Sequence, residues 1–239
     1  MAASRFPGKP LALLQGRPML EHVFRRTAAC RLLDEVVIAT CDEEIVCAAQ
    51  RFGARAVMTS SSHERASDRV AEAVETAPAD IVVMVQGDEP MIQPSMIEAA
   101  VAPLVEDPSL GCANLAAPIR SPREFADPNT IKVVRGLDGR ALYFSRAPIP
   151  AATGAAVSSA HWLKQVCVIP FRRDALRRFA ELPRGPLEQS ESIDMLRFLE
   201  NGIRVQLVPT TVDTHAVDTP DDLARVAAMM ANQPGESWA

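Results

Sequence analysis

The fold is decided by the stretch IVVMVQGDEP at residues 81–90. Its first five residues are apolar without polar alternation, which predicts a fully buried central strand of a parallel sheet. Gly87 would let the chain turn at the carboxyl end of that strand, where open α/β sheets bind their ligands. Asp88 would then hold a hard cation such as Mg²⁺ at the sheet edge. The alternative is an ordinary strand-to-helix turn with an acidic residue.

Short β-branched runs alternate with longer helical segments on both sides of this stretch, which predicts an α/β fold. We expect a mainly parallel sheet with helices on both faces. The predicted strands are residues 35–40, 54–58, 81–85, 111–118, 165–171 and 203–208. The predicted helices are residues 19–29, 42–53, 67–76, 95–105, 173–181 and 187–200, with a last one from Pro220.

The middle of the chain has a different character. Residues 131–135 and 140–144 flank the turn GLDG at 136–139, which predicts an antiparallel hairpin. We therefore interpret 119–171 as a smaller antiparallel lid or dimerisation insertion within a single domain that spans residues 1–239.

Composition argues against several classes of protein. Of 239 residues, 48% are apolar and 23% are charged, which is typical of a globular chain. The net charge of −5 argues against a nucleic-acid-binding surface. Apolar runs are too short to cross a membrane and the N-terminus lacks the apolar stretch of a signal peptide, so we expect a cytoplasmic location. The five cysteines are scattered without CxxC spacing, which argues against disulfides and a zinc site.

A basic loop near the N-terminus is a candidate phosphate site. Residues 4–11, SRFPGKPL, contain two prolines that keep the segment from forming a regular helix. Gly8 would permit close approach of a ligand, while Arg5 and Lys9 would neutralise polyphosphate oxygens. The segment is not a Walker A loop, because GxxxxGK[ST] is absent. A solvated basic turn is the alternative.

A second carboxylate would come from VDTPDD at residues 217–222. Thr219 as N-cap and Pro220 at the first helical position make a sound helix start by themselves. Asp218 lies just outside that cap, so its carboxylate would be free to face a metal ion. A helix start without any metal is the alternative, and the sequence leaves both open.

Two other segments carry groups suited to a substrate. HERASDR at residues 63–69 would offer the Ser67 hydroxyl and the Arg69 guanidinium to a base or ribose, or would form only a polar helix entry. Arg146 follows a hairpin strand and would pair with a substrate carboxylate in a bidentate manner, or would be only an ordinary surface arginine. There is no GxSxG elbow, so a covalent serine nucleophile is not expected.

Four motifs occur in the order and spacing of one family. They are SRFPGKPL at 4–11, QGDEP at 86–90, LYFSRAPIP at 142–150 and VDTPDDL at 217–223. Through them the chain resembles the 3-deoxy-manno-octulosonate cytidylyltransferase (CMP-Kdo synthetase) family along nearly its whole length. The resemblance implies a Rossmann-like nucleotidyltransferase fold, a homodimer, and the Mg²⁺-dependent reaction CTP + Kdo → CMP-Kdo + pyrophosphate. It also implies a place in lipopolysaccharide or capsule precursor synthesis.

The resemblance assigns roles to individual residues. Arg5, Lys9 and Asp88 would be catalytic, the two cations contacting the triphosphate, and Asp88 and Asp218 would bind Mg²⁺. The residues expected at the substrates are Ser67, Arg69 and Gln86 around the nucleotide and Arg146, Gln165 and Glu188 around the sugar. The anomeric hydroxyl would attack the α-phosphorus in line, pyrophosphate would leave, and positioned charge would stabilise the phosphate oxygens.

The sequence departs from the family pattern at two places on the nucleotide side. MAA at residues 1–3 stands where a buried strand and a further arginine are expected. We interpret this as a misplaced start codon, the alternative being a shortened and impaired protein. The family motif HxSGT[ED]R reads HERASDR at 63–69, which keeps the hydroxyl and the arginine but loses the glycine of that loop.

The acceptor side shows a third departure. Gln165, Cys167 and Ile169 stand in place of histidine, glycine and tyrosine, and Met195 in place of glutamine. Because hydrogen-bonding pockets discriminate strongly, such changes would redirect which sugar is accepted. Two alternatives to Kdo transfer follow. One is a transferase for amino-Kdo, a nonulosonic acid or another acid sugar, and the other is a weakly active paralogue that binds nucleotide.

Overall fold

The computed structural model describes residues 6–151, 161–212 and 214–231. Contacts divide the chain into two units, each assembled from separated stretches. The first unit contains Met1–His63, Val85–Glu98 and Asp213–Ala239, and the second contains Glu64–Met84 and Ala99–Val212. Within the described residues, no helix combines the length and the apolar character needed to span a membrane.

Strands and helices alternate along most of the chain, as predicted. In chain order the described elements are a 3-10 helix (Lys9–Leu11), β1 (Leu13–Leu14), β2 (Arg17–Pro18), α1 (Met19–Ala28), β3 (Val37–Thr40), α2 (Glu43–Arg51), β4 (Arg55–Met58), α3 (Ala66–Ala73), β5 (Ile81–Val85), α4 (Pro94–Glu106), β6 (Ala113–Pro118), α5 (Pro122–Ala126), β7 (Lys132–Arg135), β8 (Ala141–Ser145), β9 (Leu163–Val166), β10 (Val168–Arg172), α6 (Arg173–Glu181), α7 (Pro186–Glu191), α8 (Met195–Glu200), β11 (Gln206–Pro209) and α9 (Pro220–Ala231).

The first unit combines the parallel pair β3–β4 with helices α1, α2 and α9. α2 begins with Glu43 and Glu44, whose charges suit the positive end of a helix dipole. It ends just before Gly53, which has a φ of +79° that glycine adopts without strain. One apolar cluster of this unit consists of Leu14, Met19, Met91, Val217, Val226 and Met230. This cluster joins the N-terminal strands, the segment after β5 and the C-terminal helix, which are the three parts that carry the site described below.

The second unit contains a five-stranded sheet in the order β11-β6-β9-β7-β8. β11 and β6 are parallel, whereas β6–β9, β9–β7 and β7–β8 are antiparallel. The predicted hairpin is confirmed: the Gly136 amide bonds to the Arg140 carbonyl at 2.8 Å, and Gly139 has a φ of +82°. Behind the sheet the rings of Phe171, Phe179 and Phe198 pack against one another with centroids 5.0–6.4 Å apart. Burial of each such side chain contributes about 1.5–3 kcal/mol to the stability of the fold, relative to leaving it exposed.

The antiparallel strands modify two predictions about the sheet. The α/β class is confirmed, but the sheet of the second unit is mixed, because β7, β8 and β9 add to it as antiparallel strands. Residues 119–171 therefore supply strands to this sheet, and their role as a lid or dimerisation element stays a prediction.

β5 has the predicted bounds but is not fully buried. Val82 and Met84 enter the core cluster of the second unit, while the alternate side chains are half-buried.

Two predicted elements are each divided in the structure. The predicted strand 165–171 becomes β9 and β10, which are separated at Cys167. The predicted helix 187–200 becomes α7 and α8, because Ser192 has a φ of +57°, in the left-handed region. α5 was not predicted. It begins where the Ser121 hydroxyl accepts a hydrogen bond from the Glu124 amide at 3.1 Å.

Candidate active site

Two carboxylates from distant parts of the first unit converge on one ammonium group. Asp88 follows β5, and its carbonyl oxygen accepts a hydrogen bond from the Val217 amide at 2.9 Å. This contact places Asp218 beside Asp88. The Lys9 ammonium lies 2.8 Å from Asp88 Oδ2 and 3.3 Å from Asp218 Oδ1. The structure thus brings together three of the predicted site residues.

Burial and charge set the state of this carboxylate–lysine cluster. The side chains of Lys9, Asp88 and Asp218 are 13%, 20% and 29% exposed. Burial lowers the pKa of Lys9, but the two carboxylates together raise it more, so that the pKa ends above its ordinary value. Lys9 is therefore a cation at neutral pH. Because two carboxylates face one ammonium, the cluster retains a negative charge that a further cation would balance.

The donor set of this cluster fits a hard divalent cation. Asp88 Oδ1 is buried and accepts no hydrogen bond within the described part of the chain, although a buried carboxylate oxygen is costly to leave without a partner. Among those same residues, no group of three or more histidine, cysteine, aspartate or glutamate side chains could hold a metal. Two carboxylates are nevertheless what Mg²⁺ commonly takes from a protein, since substrate phosphates and water complete its shell.

Local turns aim the three side chains. Gly8 has a φ of +72°, and the Leu11 amide bonds to its carbonyl at 2.9 Å, which forms the 3-10 turn that presents Lys9. In the segment before α9, the Asp222 amide donates to the Thr219 hydroxyl at 3.2 Å, and Asp222 Oδ2 accepts from the Thr219 amide at 2.9 Å and from the Thr219 hydroxyl at 2.7 Å. Thr219 therefore begins α9 as predicted, and Asp218 is still left to face Lys9. The predicted helix start at Thr219 is confirmed, whereas the role of Asp218 at a metal ion stays a prediction.

Gly87 lies in the turn that follows β5, as predicted, and it also lies close to a neighbouring side chain. A Cβ atom at this position would lie 3.2 Å from Leu20 Cδ1, which is tighter than ordinary van der Waals contact. Because Leu20 belongs to a buried cluster with Ile38 and Ile45, it has little room to move. A side chain at residue 87 would therefore require Leu20 to shift by a few tenths of an ångström.

Comparison with known proteins decides the family. A family model described as cytidylyltransferase matches residues 1–205. The chain belongs to the cytidylyltransferase family. A 3-deoxy-manno-octulosonate cytidylyltransferase from Geobacter sulfurreducens is 45% identical over 234 residues, which cover 94% of both chains. The enzyme of the same name from Nitratidesulfovibrio vulgaris is 44% identical over 239 residues, covering 98% of this chain and 94% of the relative.

Solved structures agree with this assignment. The structure of CMP:2-keto-3-deoxy-manno-octonic acid synthetase complexed with CTP matches with a TM-score of 0.88 and 40% identity, covering 95% of this chain and 93% of the other. A 4-diphosphocytidyl-2C-methyl-D-erythritol synthase from Anaerococcus prevotii matches with a TM-score of 0.63 at 13% identity, covering 93% of each chain, and so shares the fold alone. These matches confirm the predicted α/β nucleotidyltransferase fold.

The other residues predicted at the nucleotide of this cytidylyltransferase lie in different parts of the chain. Arg5 lies outside the described residues. Gln86 belongs to the first unit, where its carbonyl accepts from the Glu89 amide at 3.3 Å. Ser67 and Arg69 belong to α3 of the second unit. The Ser67 side chain is fully buried, and its hydroxyl donates to Asp194 Oδ2 at 2.8 Å. Their roles at the nucleotide stay predictions.

Glu188, predicted at the sugar, is part of a buried ion-pair network that the sequence did not predict. Its two oxygens accept from Arg197 Nε and Nη2, each at 2.7 Å, and Arg197 Nη1 donates to Asp68 Oδ1 at 2.7 Å. Glu188 is 0% and Arg197 2% exposed. Burial lowers the pKa of Arg197, but the bonds to Glu188 and Asp68 outweigh it and leave the pKa raised. A lone arginine within the apolar run of α8 is the sequence signal that would have revealed it.

Arg146 and Gln165, also predicted at the sugar, are held in place by neutral acceptors. The Arg146 guanidinium donates to the carbonyls of Glu191 at 2.7 Å, Pro128 at 3.0 Å and Ser192 at 3.3 Å. The Gln165 amide donates to Asn114 Oδ1 at 2.6 Å. Of the residues that depart from the family pattern, Ile169 and Met195 are buried in the core cluster of the second unit, which gives them a packing role there.

Proposed function

We propose that this chain transfers CMP from CTP to 3-deoxy-manno-octulosonate (Kdo), releasing pyrophosphate, in an Mg²⁺-dependent reaction that serves lipopolysaccharide synthesis. Two relatives of this name share 44–45% identity with nearly the whole chain. The observation that carries the proposal is the convergence of Asp88 and Asp218 on the Lys9 ammonium. Carboxylates beside a lysine ammonium are groups that suit a metal-assisted transfer from a nucleoside triphosphate.

The proposed reaction is an in-line displacement at phosphorus. The anomeric hydroxyl of the sugar acid forms a bond to the α-phosphorus and loses its proton, while the bond to the leaving pyrophosphate breaks. Asp88 and Asp218 would hold Mg²⁺, which supplies positive charge to the phosphate oxygens when bound. Lys9 and Arg5 would neutralise the triphosphate from the N-terminal loop. No side chain has to form a covalent intermediate.

The acceptor and the assembly are further parts of the proposal. Arg146, Gln165 and Glu188 are proposed at the sugar, and Ser67, Arg69 and Gln86 at the nucleotide. We also propose a homodimer in the cytoplasm, in which the strands of residues 119–171 contribute to dimerisation or to a lid. The cytoplasm is proposed because CTP is available to such an enzyme there.

A pyrophosphate-release assay tests the function directly. Purified protein with CTP, Mg²⁺ and Kdo is expected to release pyrophosphate and to form CMP-Kdo, detected by mass spectrometry. A matched panel with amino-Kdo and a nonulosonic acid separates acceptors, since a preferred acceptor raises kcat/KM. Pyrophosphate release with another acid sugar but not with Kdo would show that the other sugar is the acceptor. Tight CTP binding without any pyrophosphate release would indicate a nucleotide-binding paralogue.

Lys9→Met is expected to raise the affinity of the nucleotide-free protein for Mn²⁺ by roughly tenfold, while it lowers turnover. In the wild type a cation must compete with the Lys9 ammonium for Asp88 and Asp218, and hydrogen bonds to charged groups contribute about 1.5–3 kcal/mol. Calorimetric titration with Mn²⁺ measures the change. Arg25→Met is the control, because Arg25 pairs with Glu21 instead and its loss changes the net charge equally. Unchanged Mn²⁺ affinity in Lys9→Met would remove the carboxylate–lysine cluster from consideration as the metal site.

A further inference from the structure

The backbone of Arg146 is held by charged side chains on both sides of the residue. The Glu191 carboxylate accepts from the Ser145 hydroxyl at 2.6 Å and from the Arg146 amide at 2.8 Å. The Lys132 ammonium donates to the Arg146 carbonyl at 2.5 Å. Burial raises the pKa of Glu191, but the hydrogen bonds from the Ser145 hydroxyl and the Arg146 amide help to outweigh burial, and the pKa ends below its ordinary value. Arg146 is thus fixed at its amide by an anion and at its carbonyl by a cation.

Lys132 is placed unusually for a lysine. Its side chain is fully buried, and its three donors meet three main-chain carbonyls: Asp127 at 2.8 Å, Thr130 at 2.7 Å and Arg146 at 2.5 Å. Within the described residues, no carboxylate lies at ion-pair distance from it. Burial of a charge without an ion pair is costly, so these three bonds must be strong enough to hold the ammonium inside the sheet.

The same ammonium also fixes a loop that Arg146 itself uses. Asp127 and Thr130, which accept from Lys132, enclose Pro128, whose carbonyl accepts from Arg146 Nη1 at 3.0 Å. Lys132 therefore determines both where the backbone of Arg146 lies and where one acceptor of its guanidinium lies. Carbonyl acceptors carry no net charge, and among the described residues the Arg146 guanidinium is at ion-pair distance from no carboxylate, so it can pair with an anionic ligand.

We infer that Lys132 is a positioning residue for Arg146 and, through it, for the carboxylate of the sugar acid. The inference rests on the proposed function for the identity of the ligand. Recognition of a carboxylate by a guanidinium depends on the direction of its planar donors, so a displaced Arg146 loses affinity even with its charge intact.

Lys132→Met is expected to lower kcat/KM for Kdo by on the order of tenfold to a hundredfold, the scale of a displacement of about 1 Å. The KM for CTP is expected to stay unchanged, because Arg146 is proposed at the acceptor. Lys164→Met is the matched control. Lys164 lies opposite Lys132 in the β7–β9 register and is also buried, but its ammonium bonds to Glu124 at 2.6 Å. Its loss is expected to lower stability without an effect specific to the sugar.

A double-mutant cycle separates positioning from stability. If Lys132 acts through Arg146, then Lys132→Met adds no further loss of kcat/KM for Kdo in an Arg146→Met background. Hydrogen–deuterium exchange gives a readout without substrate: Lys132→Met, but not Lys164→Met, is expected to speed exchange of the amides at 145–147. If Lys132→Met fails to fold, Glu191→Gln, at a half-buried site, is expected to give the same selective loss for Kdo.

Equal losses for CTP and Kdo, or additive losses in the Arg146→Met background, would overturn the inference. So would a lower melting temperature with kcat/KM for Kdo unchanged. If the wild type forms no CMP-Kdo, the proposed function fails. In that case the amide exchange at 145–147 still decides whether Lys132 holds this segment, and unchanged exchange would reject it.

Discussion

Asp88→Asn is expected to lower kcat with CTP and Kdo by on the order of a hundredfold or more, the scale set by loss of one group that stabilises transition-state charge. The amide is neutral and offers one oxygen instead of two, so it binds a hard cation poorly. Its shape is the same, and the Asp88 carbonyl still receives the Val217 amide. The fold should therefore persist. Steady-state kinetics over a range of Mg²⁺ concentrations, with thermal unfolding of the same samples, measure both effects.

Asp221→Asn is the control for this experiment. Asp221 lies three residues from Asp218, in the first turn of α9, and its side chain is exposed. Its loss removes the same charge from the same region without touching Lys9, so turnover is expected to stay at the wild-type level. Asp218→Asn is expected to resemble Asp88→Asn. Near-normal turnover at limiting Mg²⁺ in either site variant would exclude that carboxylate from the metal site.

Much of this site could be predicted because its signals are local. The apolar run before Asp88 and the proline that follows Thr219 each fix an element boundary within a few residues, and the carboxylate comes next to that boundary. Lys9 sits between prolines in a segment that cannot form a long helix. What the sequence could not provide was the distance between these segments. The hydrogen bond from the Val217 amide to the Asp88 carbonyl joins residues far apart in the chain.

The errors arose where a tertiary contact overrides a continuous pattern. Residues 187–200 have a helical pattern throughout, yet the chain breaks at Ser192, whose positive φ has no signature in a serine. The break brings Arg197 onto Glu188, nine residues earlier, which a straight helix would not allow. Similarly, Cys167 interrupts a run that reads as a single strand.

Arg197→Met is expected to lower the free energy of unfolding by about 3–5 kcal/mol, the cost of breaking a buried ion pair by removing one partner. Arg197 holds two carboxylates, those of Glu188 and Asp68, and also lies 4.0 Å from the centroid of the Phe179 ring. Methionine fills a similar volume but removes both short bonds to the fully buried Glu188 carboxylate, which keeps the more distant Arg65 Nε at 3.6 Å. Urea denaturation followed by circular dichroism measures the loss.

Arg184→Met is the matched comparison, because Arg184 also reaches Asp68, at 3.5 Å, but is 32% exposed. Exposed pairs contribute about 1 kcal/mol or less, so this variant should unfold close to the wild type. Glu188→Gln added to Arg197→Met should recover part of the loss, since it removes a buried charge that then faces only the more distant Arg65 among the described cations, while keeping the shape of the side chain. If instead Arg197→Met matched Arg184→Met in stability, the buried ion pairs of Arg197 would contribute no more to the free energy of unfolding than an exposed pair does. The role already proposed for Glu188 at the sugar would then be the better explanation of its burial.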